Sequence, residues 1–392
     1  MALILTRSPF SMSRQGFDAG VQMTLEIGVH KQGVFGVLDT YNFNFRSSFY
    51  LELSKIISDY FSIEAAYSAS SGRYISTGDV DVLSVRTSLQ ARTGGSSSPD
   101  VVETYIATNG YLNNTDAINY DFTNDLKSNA YYAGSSDIIY KLDDSNVKIP
   151  LLNPFLDPFG TATTEVATIS FMSKGQAKQT ITHTFDSETI STLYADIENF
   201  SGISFLDRVS ADGAIIESSR CSDSFFRNIE VNDLDAIIIS TPHSVKKIKV
   251  VSVSECKYMP YKIIFKNKLG VYEDLWFFKK SSKSIEVNSD KFNANQFVYR
   301  SAGILARSIT EFNKNGKESI TLNSGFVSEH LNESFKQLML SESVILYDFT
   351  ENTKHAVLLS KGSFDFKTVT NDKLINYTMD VEFSNNAIDD IF

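Results

Sequence analysis

Residues able to do chemistry are plentiful in this chain, but few of them stand at a spacing that chemistry requires. Among its forty-seven acids, four neighbouring pairs stand out: Asp79 with Asp81, Asp121 with Asp125, Asp143 with Asp144, and Glu273 with Asp274. Glycan cleavage needs two carboxyl groups roughly 5–10 Å apart, one as acid and one as base or nucleophile. A chain this acidic carries such neighbours by chance, so solvated loops and strand faces are the plainer reading. Ser244-Val245-Lys246-Lys247 matches a Ser-x-x-Lys nucleophile pattern. It also reads as the start of a strand with a wet basic edge. His30, His183, His243, His330 and His355 are scattered, with no two at metal-ligand spacing. Cys221 and Cys256 form neither a disulfide framework nor a metal pattern, and read as two separate reduced thiols, with a single disulfide as the alternative. There is no phosphate loop, nucleophile elbow, His-Glu-x-x-His or dinucleotide fingerprint. No catalytic, cofactor-binding or metal-binding residue is assigned, no cofactor is expected, and the chain is not read as an enzyme.

The elements that would hold such residues are mostly strands. Tyr41, Phe43 and Phe45 alternate with Asn42 and Asn44, and Phe49, Leu51 and Leu53 repeat the pattern. That is the mark of a strand with one dry and one wet face. Leu53, Ile56, Ile57, Tyr60 and Phe61 follow helical spacing, which predicts a short amphipathic helix over 53–61. Thr93 to Pro99 offers nothing to a core and reads as a loop or a linker. The stretch from 100 to 159 is rich in Asn, Asp, Tyr and Ser. It closes in the proline-bearing run Pro150 to Pro158, an extended segment laid on a neighbour.

Further on, Lys247 and Lys249 alternate with Ile248 and Val250, and the phase slips at Val251, where a bulge is expected. Tyr261–Phe265 and Leu275–Phe278 flank Asn267-Lys268-Leu269-Gly270 as a hairpin, and Asn315-Gly316 marks a second hairpin turn. Leu331, Phe335, Leu338 and Met339 predict a helix over about 328–340, with Ser328 as its cap. Tyr377, Met379, Val381 and Phe383 share one face of a closing strand, against which that helix is expected to pack.

The expected fold is mainly β: two or three sandwich-like β-rich domains, with one helix packed on strands in the C-terminal domain. Residues 1–95 read as an N-terminal β domain with a short helix, 96–240 as a loop-rich middle β region, and 241–392 as the C-terminal β domain. After Phe383 the alternation stops. The tail to Phe392 ends in Ile388-Asp389-Asp390-Ile391-Phe392, an apolar tip on an acidic stem that either folds back or, the favoured reading, reaches a neighbour.

Within the C-terminal part, Leu322-Asn323-Ser324-Gly325-Phe326-Val327-Ser328-Glu329-His330-Leu331-Asn332-Glu333, continuing Phe335 to Val344, resembles a segment of structural proteins from tailed bacteriophages of Bacteroidetes hosts. Thr370 to Phe383 resembles the strand that closes the same domain, preceded in those proteins by an aromatic hairpin such as Tyr261–Phe278 supplies. Arg7-Ser8-Pro9-Phe10 and the segment Leu51 to Phe61 are similar to the opening domain of that group. The likeness covers both ends, about half the chain, and rests on packing motifs. It implies a virion or tail component made in the host cytoplasm, whose partners are other copies of itself and neighbouring virion proteins. A glycan-binding adhesion module, meeting a host-surface glycan through exposed Tyr and Asn, is the second reading; a glycan-cleaving enzyme comes third.

Charge agrees with that order. Thirty-six basic residues against forty-seven acidic ones leave a net −11, so nucleic acid is not expected as the main partner. Lys246, Lys247, Lys249, Lys257, Lys262, Lys266, Lys268, Lys279 and Lys280 cluster in sequence. They read as a solvent face or guarded edge, or else as a contact for an acidic neighbouring subunit. The apolar run before Arg7 is too short for a signal-peptide core, and no stretch approaches the roughly 18 apolar residues of a membrane helix. No membrane anchor is expected.

Overall fold

The first apolar run is a strand, β1 (Ala2–Leu5), laid parallel to β9 (Val101–Thr108). Both faces of the pair are covered. Ile4, Tyr105 and Ala107 enter one core, while Leu3, Leu5 and Ile106 enter another. A strand buried on both sides has no wet face, so it shows no alternation. The computed structural model describes residues 2–14, 20–31, 34–46, 48–61, 74–75, 82–93, 96–97, 101–116, 120, 122–142, 147, 149–153, 165–185, 194–195, 234–255, 257–293, 309–348, 353–360 and 374–385.

Next to β9 run β7 (Val82–Thr93), β3 (Val21–Lys31) and the edge strand β4 (Val34–Phe45), each antiparallel to its neighbour. The two-residue β8 (Ser96–Ser97) pairs with the end of β7. Val21, Met23, Leu25 and Ile27 are buried at every second position. The rings of Tyr41, Phe43, Phe45 and Phe49 follow one another as a stack, with centroids 6.3, 6.3 and 4.5 Å apart. Phe49 belongs to β5 (Phe49–Glu52), which pairs with β2 (Ser11–Arg14). The helix expected over 53–61 is a single short one, α1 (Ser54–Ser58), though Leu53, Ile57 and Phe61 are all buried. Because β7 and β9 are neighbours in one sheet, the boundary expected at residue 95 falls between two paired strands.

A second sheet has the order β10 (Ile138–Leu142), β15 (Val245–Val253), β14 (Ala236–Ser240), β11 (Glu165–Ser173), β12 (Gln176–Phe185). Ala167, Ile169, Phe171, Ile237, Ile239, Ile248 and Val250 share a core with Leu3 and Leu5. Phe122 and Leu126 join it from α2 (Thr123–Ser128) and the residue before it. So do Val147, Ile149, Leu151 and Leu152, and the described start of the proline-bearing segment, 150–153, lies on a neighbour: Leu152 N donates to Tyr131 O at 2.9 Å, and Ala133 N to Pro150 O at 3.0 Å, while 154–158 lie outside the described residues.

The bulge expected at Val250–Val251 is not there, since β10 and β15 stay in register from Ile138–Lys249 to Leu142–Val253. The phase fades for another reason. β14 ends at Ala236, opposite Lys249, and beyond that point β15 has, among the described residues, β10 alone beside it. A small ladder of β6 (Tyr74–Ile75) and β13 (Tyr194–Ala195) completes the strands before residue 236.

The chain groups into two compact units, the first comprising Met1–Ser254, Ile264–Leu275 and His330–Ser343, the second Glu255–Ile263, Trp276–Glu329 and Val344–Phe392. A seven-stranded sheet has the order β17 (Tyr272–Phe277), β16 (Tyr261–Lys266), β20 (Val344–Asp348), β21 (Thr353–Leu359), β22 (Leu374–Phe383), β19 (Ile309–Ser328), β18 (Ser282–Asn293). The division between units falls within β16 and β17. These two strands form the expected hairpin. Asn267 N donates to Val271 O, and Gly270 takes the left-handed φ of +78° that its turn requires.

After β19 comes a 3-10 turn, Glu329–Leu331, and then α3 (Asn332–Met339). Leu331, Phe335 and Leu338 are buried, in line with the apolar spacing. Ser328 is not the cap: it is still paired to Leu374 in β19, and Leu331 occupies the cap position with no side-chain bond.

Candidate assembly interface

Asn315-Gly316 is not a turn. Residues 309–328 run on as one twenty-residue strand, and the pair lies opposite Asn288 and Val287 of β18. The irregularity sits three residues earlier, where register shifts between the pairs Asn288–Asn315 and Asp290–Phe312. β19 carries one extra residue there, and Asn313 adopts φ 49°. Asparagine tolerates that conformation better than most residues, and its Nδ2 donates to Asp290 Oδ2 at 3.1 Å.

The long strand changes partners along its length. From Ser319 onward it pairs with β22, whereas among the described residues Ile309 to Glu318 pair with β18 alone. About ten residues of β18 and β19 therefore extend beyond the third strand as a two-stranded arm. Every residue of β18 is exposed except the half-buried Ser289. Ile285 and Val287 on one face are 55% and 56% exposed; Phe292 on the other face and Phe312 of β19 are each 49% exposed. The rings of Phe292 and Phe312 meet edge to face at 5.7 Å. An apolar arm exposed on both sides is unusual for a strand that serves only its own fold.

Charges along the arm are matched internally. Lys291 Nζ lies 3.4 Å from Glu311, which also pairs with Lys314, and Lys317 reaches Glu382 at 2.5 Å. These lysines hold the Glu311 and Glu382 carboxyls below their ordinary range. Lys283 lies over the Tyr261 ring at 6.0 Å.

Among the described residues, none of those singled out for catalysis assembles into a site. Ser244 Oγ donates to Lys127 O at 2.5 Å and accepts from Ala130 N at 2.9 Å, tying the end of α2 to the turn before β15. Lys247, three residues on in an extended strand, faces the other way. Glu273 and Asp274 are consecutive in β17 and project to opposite faces. Asp125 accepts from Tyr120 Oη at 3.0 Å, while Asp79, Asp81, Asp121, Asp143 and Asp144 lie outside the described residues, as do both cysteines and the tail from 386. His330 is exposed, and His355 Nε2 lies 3.1 Å from Thr353 Oγ1; the side chains of His30 and His183 lie outside the described residues.

The basic cluster does not form one patch. Lys262 is buried against Trp276 and Tyr347, Lys266 is buried against Tyr272, and Lys268 and Lys279 are paired to Asp116 and Glu255. Lys247 and Lys249 are exposed.

Two polar clusters went unseen in the sequence. In one, the Glu165 carboxylate accepts from Tyr131 Oη and from Asn153 Nδ2 at 3.2 Å, with His243 Nε2 also 3.2 Å away. Burial and this carboxylate push the Tyr131 hydroxyl well above its ordinary range. In the other, the Glu273 carboxylate accepts from Ser135 N at 3.0 Å, Ser135 Oγ at 2.6 Å, Asn267 Nδ2 at 3.2 Å and Ser334 Oγ at 3.4 Å. Each fastens segments far apart in sequence. Among the described residues no three His, Cys, Asp or Glu side chains are grouped to hold a metal ion, and no helix is long and apolar enough to cross a membrane. No protein-family model matches the chain, and no curated protein matches it.

Proposed function

We propose that the chain is a structural protein of a phage virion, an assembly subunit of the tail or its distal end. The observation that carries this reading is the arm of β18 and β19. It is two strands wide, exposed on both faces, and apolar at Ile285, Val287, Ile309 and Phe312. Interfaces between subunits need surface of this kind, and a strand that only closes its own sheet does not. The resemblance at both ends of the sequence supports the same reading, and the structure is mainly β, as the likeness implies. Two polar clusters, each with several donors converging on one carboxylate, serve a rigid scaffold better than a reactive site.

The test uses the particle. Genes on either side of the coding sequence should specify tail or capsid proteins, and mass spectrometry of purified particles should find the chain in stoichiometric amount. Particles that form without it overturn the proposal. Saturable binding on a sugar array, together with absence from particles, would install the adhesion module in its place.

A further inference from the structure

We infer that the arm docks on a second copy of this chain, the outer edge of β18 pairing antiparallel with the β18 edge of its partner copy. The inference rests on the assembly reading above and names the contact. β18 ends its sheet, and among the described residues no further strand lies beside it. Its outer main-chain groups are therefore a ready template for another strand. Edge lysines commonly guard such strands against pairing. Here both are drawn to their own chain, Lys283 over Tyr261 and Lys291 to Glu311.

Charge points to a second copy as the occupant. The chain carries −11 overall, yet the described arm from Ile285 to Asn293 and Ile309 to Glu318 has three lysines (291, 314, 317) against four acids (286, 290, 311, 318), a net −1. Two acidic copies repel. A nearly neutral arm with exposed apolar side chains is the part of such a molecule that can approach its own kind, whereas a polyanionic partner would call for a basic one.

Size agrees. Ten residues at ~3.4 Å make an arm ~34 Å long and, with two strands, ~10 Å wide. Edge-to-edge pairing over this length allows about ten main-chain hydrogen bonds, the number a typical interface carries. With Ser289 on the two-fold axis, Val287 faces Lys291, Asn288 faces Asp290, and Glu286 faces Phe292. No like charges then stand opposite each other.

Sedimentation velocity of the full chain over roughly 1–100 μM, with variants, tests this. Wild type should associate, and Ile285→Lys with Val287→Lys should weaken association at least about thirtyfold. Both positions are exposed, so folding should be unchanged by circular dichroism. Leu358→Lys, equally exposed but off the arm, should associate as wild type does. Ser289→Cys should give a disulfide-linked dimer under mild oxidation that wild type does not give. A chain that stays monomeric yet is present in particles overturns the self-docking and leaves the assembly reading standing. Arm variants that associate like wild type, or an associated Ser289→Cys chain that never cross-links, overturn it too. Absence from particles strikes the assembly reading instead.

Discussion

Glu273 is where the chain concentrates polar interactions on one atom group. Burial raises its carboxyl above the ordinary range, and the bonds from Ser135, Asn267 and Ser334 pull the other way without cancelling that rise. With the folded value above the unfolded 4.5, the folded state binds more protons through the interval between the two. This group's contribution is then full below the unfolded value and is lost as pH rises through the folded one. Glu273→Gln keeps an acceptor for Ser135 N and Asn267, while the serine hydroxyls can turn to accept from the new amide. Its stability relative to wild type should therefore rise between pH 5 and pH 8 in urea titrations; a difference that ignores pH would refute the assignment. Glu273→Ala leaves several donors unsatisfied and should cost about 3–5 kcal/mol. None of this was legible in the sequence. Glu273 looked like half of an acid pair with Asp274, and its partners lie 6, 61 and 138 positions away.

Among elements, alternation was a good guide wherever a strand had one wet face, as in Val21–Ile27 or Tyr41–Phe45. It failed where burial was two-sided or absent. Lys262 and Lys266 lie in β16, buried along its whole length, so their charge suggested a solvent face that does not exist. The arm is exposed along most of its length, and Asn315-Gly316 imitated a turn because the true irregularity, at Asn313, uses a similar residue. A left-handed residue predicts its own substitution pattern. Asn313→Gly should leave the arm unchanged, while Asn313→Val should cost ~1–2 kcal/mol locally. Hydrogen exchange should then quicken about tenfold or more in the amides flanking the bulge. Unchanged exchange in the valine variant would mean that the strand has shed the bulge. Ser244→Ala, which removes the bonds to Lys127 O and Ala130 N, should cost about 1–2 kcal/mol without touching any reaction.

At the scale of the molecule, order along the chain hides order in space. The units are interleaved, with Ile264–Leu275 and His330–Ser343 returning to the first from within the second, so no contiguous reading of segments could have drawn them. Net charge, by contrast, is fully legible, and it makes a prediction about assembly. A contact built on ion pairs, or on a basic patch meeting acidic surface, weakens as salt screens it. The arm proposed to dock here carries a net charge of only −1, and its three lysines are engaged within the chain, so salt removes little attraction from it. What salt does remove is repulsion between two bodies of −11 each. With screening lengths of ~14 Å near 0.05 M and ~4 Å near 0.5 M, the long-range part of that repulsion is lost over this range. Association followed by sedimentation should therefore tighten from low to high salt, by several-fold in Kd, and the Ile285→Lys, Val287→Lys variant should stay weak at both. Weakening of the wild-type complex with salt would place the contact on charged side chains and away from the apolar arm.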